Sequence, residues 1–153
     1  MPMPEVGQPA PDFETLDDSG QSVRLSDFRR RRVVLYFYPR ADTPGCTKEA
    51  CSFRDDFSAY ESKNVVILGV SPDTEKAQAK FRAKYKLPFH LLADPHHAIS
   101  ETYGAWGLKK FMGREFTGVR RTTFLIDERG EISHVFEGVQ PDVHSAEVLA
   151  ALA

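Results

Sequence analysis

Two uninterrupted runs of β-branched and aromatic residues dominate the hydrophobic pattern of this chain, at residues 32–39 (RVVLYFYP) and 64–72 (NVVILGVSP). Neither run alternates with polar residues, which is typical of strands buried on both faces of a sheet. A helix is expected between them, from Thr43 to about Ser62. The succession of strand, helix and strand predicts a right-handed crossover that makes the two strands parallel.

The rest of the pattern predicts shorter elements. Asp94 is expected to cap a helix whose first residue is Pro95, and residues 103–113 (YGAWGLKKFMG) are expected to be a glycine-rich loop. The other expected elements are a hairpin at 12–25, a helix at 73–86, a strand at 89–95, two strands about a Glu-Arg-Gly turn at 121–138, and a helix at 141–153. Together they predict an α/β fold, a three-layer sandwich with a central mixed β-sheet flanked by helices and an N-terminal β-hairpin.

Length and charge restrict the function classes. The 153 residues suit a single domain spanning 1–153, and the formal charge of −2 gives no overall field that would attract nucleic acid or anionic lipid. The basic run at residues 29–32 is expected to be a solvated turn, with an anion-binding patch as the alternative. No apolar stretch is long enough to span a bilayer and the N-terminus lacks a signal-peptide pattern, so we expect no membrane partner and a cytoplasmic location.

The two cysteines lie together in the segment YPRADTPGCTKEAC. Thr43 is a suitable N-cap and Pro44 suits the first helical position, which puts Cys46 at the third position of the helix. Unpaired N–H groups and the helix dipole favour an anion there, so this position favours a thiolate. The segment follows a buried strand, where α/β folds place reactive groups.

Cys51 is five residues beyond Cys46. In an intact helix this spacing means about 7.5 Å of rise and about 140° of rotation, with Cα atoms about 8 to 9 Å apart. A disulfide requires Cα atoms within about 7 Å, so the two thiols cannot join while the helix stands. If they act as a pair, the helix must unwind between them.

Other uses of the cysteines fit the spacing less well. Cys51 taken alone could be an inert core residue. A zinc site or a thioredoxin-type redox pair would require two residues between the cysteines rather than four. A cysteine hydrolase would require a histidine close in space, and the histidines, at positions 90, 96, 97, 134 and 144, have no local signature that predicts it.

The segment PRADTPGC resembles the Pro-x-x-x-Thr-x-x-Cys signature of the peroxiredoxins, with Pro39, Thr43 and Cys46 in its three defining positions. The stretches GQPAPDF, FYPRADTPGCTKEAC, YGAWGLKKFMG and RTTFLIDERGEISHVF resemble, in the same order, the bacterioferritin-comigratory-protein or Q-type branch. The likeness covers nearly the whole chain.

This resemblance implies a thioredoxin-like fold and the reduction of hydrogen peroxide or organic hydroperoxides without metal or cofactor. Cys46 would be the peroxidatic cysteine and become a sulfenic acid. Thr43 would orient the peroxide, Pro39 would shield the nucleophile from water, and Arg121 would hold thiolate and peroxide oxygens. Glu49 matches a family glutamate that orients this arginine.

Cys51 matches the resolving cysteine that some members of this branch carry. The resemblance implies that it condenses with the sulfenic acid to a Cys46–Cys51 disulfide, which thioredoxin or a similar dithiol protein then reduces. Trp106 and Phe111 are candidates for the substrate pocket or a partner contact. We expect a monomer and no nucleic-acid partner.

Two other functions remain open at this point. The same cysteine pair could serve as a peroxide-sensing redox switch that regulates a partner, which would be oxidised once rather than turn over. A non-redox cysteine hydrolase is a third hypothesis, and its activity would not depend on Cys51.

Overall fold

The computed structural model describes residues 3–153, apart from the side chain of Phe111, and within them the chain forms nine strands and five helices. The strands are β1 (Glu14–Leu16), β2 (Ser22–Arg24), β3 (Arg32–Phe37), β4 (Val65–Ser71), β5 (His90–Ala93), β6 (Trp106–Phe111), β7 (Arg114–Val119), β8 (Thr122–Ile126) and β9 (Ile132–Glu137). The helices are α1 (Pro44–Asp55), α2 (Phe57–Ser62), α3 (Glu75–Tyr85), α4 (Ala98–Thr102) and α5 (His144–Leu152).

A five-stranded mixed sheet forms the centre of the fold, in the order β5-β4-β3-β8-β9. Strand β3 is parallel to β4, and β4 is parallel to β5, whereas β8 is antiparallel to both β3 and β9. Strands β1 and β2 pair separately as the predicted N-terminal hairpin. The mixed sheet confirms the prediction made from the two apolar runs.

Strand β3 supplies side chains to hydrophobic cores on both sides of the sheet. Val34 and Tyr36 belong to the cluster that also contains buried residues of α1, α2, α3 and α5. Leu35 and Phe37 belong to the second cluster, which contains Ile99 of α4. Helices therefore cover the sheet on both faces, and the predicted three-layer α/β architecture is confirmed.

The single helix expected from Thr43 to about Ser62 is interrupted at Asp56, so this prediction was wrong in its extent. Asp56 has φ −97° and ψ 8° and separates α1 from α2. Its carboxylate accepts a hydrogen bond from Ser145 Oγ of α5 at 2.8 Å, and Tyr60 Oη donates to the Ser145 carbonyl at 3.0 Å. The break coincides with a tertiary contact that local sequence does not contain.

The helix expected to begin at Pro95 begins instead at Ala98, with His97 in the N-cap position. Asp94 nevertheless accepts hydrogen bonds from the N–H groups of Ile99, at 3.1 Å, and Ser100, at 2.9 Å. The boundary was wrong by three residues. The expected role of the carboxylate, to satisfy donors of the first helical turn, was correct.

The loop expected at residues 103–113 was also a wrong prediction, because β6 and β7 form an antiparallel hairpin outside the central sheet. Its two-residue turn is Met112–Gly113, with φ angles of 52° and 78°. Turns of this kind need positive φ at both central residues and favour Asn-Gly or Asp-Gly. A methionine in the first place gives no such signal, so the hairpin escaped sequence analysis.

Candidate active site

Helix α1 begins as the sequence predicts. Thr43 is the N-cap in an extended conformation, Pro44 follows at the first position, and the Thr47 N–H donates to the Thr43 carbonyl at 2.8 Å. The N–H groups before this bond, including that of Cys46 itself, have no acceptor within the helix. The Thr43 hydroxyl does not cap the helix but donates to the Arg40 carbonyl at 2.9 Å, which leaves its oxygen free to accept a hydrogen bond.

The Cys46 sulfur lies beside an arginine that is distant in sequence. Arg121 Nη2 donates to Cys46 Sγ at 3.3 Å across 75 residues of chain. The cysteine is 1% exposed. Arg121 directly precedes β8, which pairs with β3, and this pairing places it beside the residues that follow β3. Its neighbour Arg120 extends elsewhere and donates to the Gly104 carbonyl at 2.8 Å.

Glu49 holds the other side of the same guanidinium. Its Oε1 is 3.2 Å from Arg121 Nη1, and the side chain is buried. Burial raises the pKa of the Glu49 carboxyl to about 7, although the charge of Arg121 and its hydrogen bond act in the opposite direction. Among the described residues, Oε2 has no hydrogen-bond partner.

Two further residues border Arg121 and were not assigned a role from the sequence. A Cβ atom on Gly45 would lie 2.6 Å from Arg121 Nη2 and 3.8 Å from Pro141 Cγ. Because real Cβ atoms do not approach that closely, only glycine leaves room for the guanidinium in its present position. Gly45 stands next to Cys46 and could have been found from the sequence, whereas nothing local indicates Pro141.

Both cysteines are free thiols within the unbroken helix α1, and they differ in their surroundings. Cys51 is partly exposed, and burial raises the pKa of its thiol, with the nearby Asp55 adding to the effect and Arg54 opposing it. Cys46 has the helix start and the Arg121 hydrogen bond. A helix start and a hydrogen-bonding guanidinium are surroundings typical of reactive cysteines, and Cys46 has both.

Lys109 of β6 is a second cationic side chain near the site, and sequence analysis missed it. Its Nζ donates to the Val119 carbonyl at 2.8 Å, two residues before Arg121. Burial and the positive charge of Arg121 lower the pKa of Lys109, and the charge of Cys46 partly restores it. Lys109 thus lies within the electrostatic field of the cysteine and the arginine.

The remaining candidates occupy different places. Pro39 is half-buried and lies two residues beyond the end of β3, on the way to Cys46. The ring of Trp106 stacks on His97 with centroids 3.8 Å apart and packs against the core on the α4 side of the sheet. The structure thus joins Trp106 to α4, and its role in the substrate pocket or in a partner contact stays a prediction. The side chain of Phe111 lies outside the described residues.

Carboxylates and a histidine approach one another elsewhere, at Asp17, Asp18 and His90. Asp18 already accepts hydrogen bonds from the Leu91 N–H, at 3.1 Å, and from Arg82 Nη1, at 2.9 Å. An ion pair therefore occupies the ligand positions that a metal would use. In the described part of the chain, no helix has the length and apolar character required to cross a membrane.

An α/β sheet that presents a buried cysteine at a helix start, hydrogen-bonded to a partly buried arginine, defines a thiol-redox site of the thioredoxin-like class. Residues 6–135 match the model of the AhpC/TSA family. The chain belongs to this family and, within it, to the peroxiredoxins of the Bcp or PrxQ type. It is therefore a thiol peroxidase, an enzyme that takes a peroxide as substrate and a thiol as reductant.

Relatives of known name are similar over nearly their full length. Peroxiredoxin Bcp of Bacillus subtilis is 46% identical over 148 residues, which cover 97% of this chain and 94% of the relative. Peroxiredoxin Bcp of Escherichia coli K12 is 42% identical over 145 residues, covering 95% and 93%. These identities confirm the resemblance found in the sequence.

Solved structures agree with the fold. A cysteine-to-serine mutant of Xylella fastidiosa PrxQ superposes with a TM-score of 0.92 at 28% identity and covers 99% of this chain and 97% of that one. Peroxidoxin BcpB from Mycobacterium tuberculosis gives a TM-score of 0.86 at 35% identity, with coverage of 97% and 96%. The expected thioredoxin-like fold is confirmed.

Proposed function

We propose that this protein reduces hydrogen peroxide and organic hydroperoxides through a sulfenic acid on Cys46, which Cys51 resolves as an intramolecular disulfide. The observation that carries the proposal is the 3.3 Å hydrogen bond from Arg121 Nη2 to Cys46 Sγ. A related structure is described as concerning the alkyl peroxide reduction activity of the Xanthomonas campestris bacterioferritin comigratory protein, with a TM-score of 0.89 and 29% identity. That description supports an organic hydroperoxide as one substrate class.

In the first step the Cys46 thiolate attacks the terminal oxygen of the peroxide, and the O–O bond breaks. The sulfur becomes a sulfenic acid, and the remaining alkoxide or hydroxide takes a proton and leaves as alcohol or water. Arg121 stabilises negative charge on the sulfur and then on the oxygens, because its guanidinium is already held by Glu49. Thr43, whose own proton is donated to Arg40, can accept the hydrogen of the peroxide.

In the second step the Cys51 sulfur attacks the sulfenic sulfur, water leaves, and a Cys46–Cys51 disulfide forms. The turn of α1 between the cysteines has to open, because a helix keeps their Cα atoms beyond the reach of a disulfide. Two electrons from a dithiol protein such as thioredoxin then restore both thiols by exchange. Pro39, which is half-buried, would limit the access of water to the sulfur.

The cysteine variants test these roles. Cys46→Ser should abolish peroxide consumption, while Cys51→Ser should consume one equivalent of peroxide and then fail to turn over with thioredoxin. Intact mass after one equivalent of peroxide should show the loss of two hydrogens, which a peptide map assigns to Cys46–Cys51. Unimpaired cycling of Cys51→Ser, or a stable added oxygen on wild-type Cys46, would overturn the resolving role.

The peroxide-sensing switch is tested in the same assay. A sensor should be oxidised once and change its binding to a partner without sustained turnover. We expect many turnovers per protein with a thioredoxin system, because the similar relatives are named peroxiredoxins.

A further inference from the structure

The hairpin of β6 and β7, residues 106–119, forms an arm beside the active site. Its two strands pair with each other and not with the central sheet. Along β7 the side chains from Arg114 to Thr117 are all exposed, and the strand becomes buried at Val119. The arm is therefore anchored at its base, while its outer half is surrounded by solvent.

The arm has exposed apolar side chains that are not part of the hydrophobic core. Leu108 is 59% exposed, Phe116 is 46% exposed and Met112, at the turn, is 89% exposed. Met112 also adopts a φ of 52°, a conformation that side chains other than glycine and asparagine rarely take. A methionine at this position is unfavourable for the turn and leaves its side chain in water, so stability of the hairpin does not explain it.

Charge on the arm is mostly positive. Between Trp106 and Arg120 the sequence has four cationic side chains and one acidic one, although the whole chain has a formal charge of −2. Lys110 pairs with Glu115 at 3.4 Å, while Lys109 bonds to a carbonyl. The cationic excess therefore remains, and the arm suits a partner that offers acidic groups beside apolar ones.

The base of the arm is close in sequence to Arg121, the residue that contacts the reacting sulfur. Strand β7 ends at Val119, two residues before Arg121, and Arg121 donates to Cys46. At this end Lys109 of β6 links the two strands, because it donates a hydrogen bond to the Val119 carbonyl of β7. A molecule bound at the base of the arm would therefore lie near Arg121 and Cys46.

We propose that the arm is the docking surface for the dithiol protein that reduces the oxidised enzyme. This inference rests on the proposed function, since it assumes a Cys46–Cys51 disulfide. One thiolate of the partner attacks a sulfur of that disulfide to form a mixed disulfide, and the partner's second thiol displaces the enzyme. The partner loses two electrons and becomes a disulfide, and the enzyme regains two thiols.

Two alternatives explain the arm less well. A small thiol needs no apolar surface to reach a disulfide. A second copy of this chain, packed arm to arm about a two-fold axis, would bring two sets of cations together. A heterologous protein with an acidic surface avoids that repulsion and can cover the turn at Met112 together with Leu108 or Phe116, which lie on opposite faces of the hairpin.

The test compares two double variants with matched exposure. The arm variant is Leu108→Ser with Phe116→Ser, and the control is Val6→Ser with Leu16→Ser, residues that are 62% and 41% exposed elsewhere on the surface. Each protein is oxidised with one equivalent of peroxide. Stopped-flow fluorescence then gives the second-order rate constant for reduction by a purified thioredoxin and, separately, by dithiothreitol.

We expect the arm variant to react at least about tenfold more slowly with thioredoxin, because a few apolar anchors carry most of the binding energy of a protein interface. The dithiothreitol rate should stay within about twofold of wild type, as should both rates of the control. The wild-type rate with thioredoxin should also fall as salt is added, because salt screens the attraction to the cationic arm. Met112→Asn should weaken the thioredoxin reaction while favouring the turn, since asparagine tolerates positive φ.

Equal thioredoxin rates for the arm variant and wild type would overturn the docking role. An equal loss with dithiothreitol would overturn it as well, because the defect would then lie in the disulfide itself. If wild type elutes as a dimer that the arm variant disrupts, the occupant is a second copy and the proposal is wrong. Failure of wild type to form the disulfide at all would instead overturn the proposed function from which this inference starts.

Discussion

At the scale of single residues, Gly45 determines whether Arg121 can reach Cys46. The guanidinium lies where a side chain on residue 45 would be, with only 2.6 Å between Arg121 Nη2 and an ideal Cβ. The atom that would have to move is the end of a flexible side chain, so the fold could adapt easily. The displaced guanidinium would lose its bond to the sulfur.

We therefore expect Gly45→Ala to lower the rate of Cys46 oxidation by about tenfold or more, the size of effect seen when one charge-stabilising donor is lost. Stability should not fall, because alanine is favoured over glycine in a helix by up to about 1 kcal/mol. Stopped-flow oxidation and urea denaturation measure the two effects. Gly118→Ala, where the nearest atom would be Lys109 Cδ at 3.5 Å, is the control. An unchanged oxidation rate in Gly45→Ala would contradict the steric role.

Glu49 makes the stability of the protein depend on pH, and the sign of this dependence follows from the burial of its carboxyl. The folded protein keeps the Glu49 proton up to about pH 7, whereas the unfolded chain releases it near its ordinary pKa of 4.5. Stability is thus lost as the pH rises from about 4.5 through about 7. Glu49→Gln keeps an oxygen for Arg121 and cannot ionise. Its stability relative to wild type should therefore increase across this window by up to roughly 3 kcal/mol.

Urea denaturation of both proteins at several pH values between 4 and 8 checks this prediction. A constant difference between the two free energies of unfolding at every pH would show that Glu49 does not titrate in the window.

At the scale of secondary structure elements, α1 has two requirements that conflict. Its first turn has to be helical to favour an anion at Cys46, yet a disulfide to Cys51 requires that turn to open. Phe53, farther along the helix, is fully buried and packs on Tyr36 with ring centroids 4.9 Å apart. This anchor limits the opening to the part of α1 before Phe53.

Hydrogen exchange followed by mass spectrometry should detect the opening. After peroxide treatment, amides between Thr47 and Cys51 should exchange at least about tenfold faster than in the reduced protein, while those from Phe53 to Asp55 stay protected. Cys51→Ser treated in the same way is the matched control and should keep its protection. Faster exchange in that variant too would mean that oxidation of Cys46 alone unwinds the helix.

The elements differ in how well local sequence predicts them. Strands β3 and β4 were found because a run of apolar residues reports burial on both faces. The hairpin of β6 and β7 was missed because its exposed strands have little apolar alternation and its Met-Gly turn lacks the usual signal. The break at Asp56 depends on Ser145, 89 residues away, so no pattern in residues 43–62 contains it.

At the scale of the whole molecule, α5 connects the C-terminus to the first helix. His144 is fully buried, its Nε2 lies 2.7 Å from Thr123 Oγ1, and the rings of Phe53 and Phe136 flank it. The loop before α5 brings Pro141 to Gly45 and the guanidinium. The position of α5 thus bears on both the packing of α1 and the shape of the site.

Burial lowers the pKa of His144 below its ordinary value, and Glu147, at 3.4 Å from Nδ1, opposes this only in part. The unfolded chain then takes up a proton near pH 6.5 that the folded protein takes up only at lower pH, so stability falls as the pH drops below about 6.5. We expect His144→Gln to lose less stability than wild type between pH 7 and 5. Chemical denaturation of wild type and His144→Gln measures this difference in stability. The same comparison between Glu49→Gln and the double variant Glu49→Gln with His144→Gln removes the opposite effect of Glu49. An equal loss of stability in wild type and His144→Gln between pH 7 and 5 would contradict the prediction.

Local sequence determined the two central strands, the start of α1 at Pro44 and the place of Cys46 in its first turn, because hydrophobic runs and helix caps depend on neighbouring residues. It also determined that Cys46 and Cys51 stand apart in a helix. Only the tertiary structure decided that Arg121 lies 3.3 Å from the sulfur, that Glu49 is buried beside it, and that the arm exposes its apolar side chains near the site. These features depend on the order of strands in the sheet, which joins residues 75 positions apart and is not encoded within any single segment.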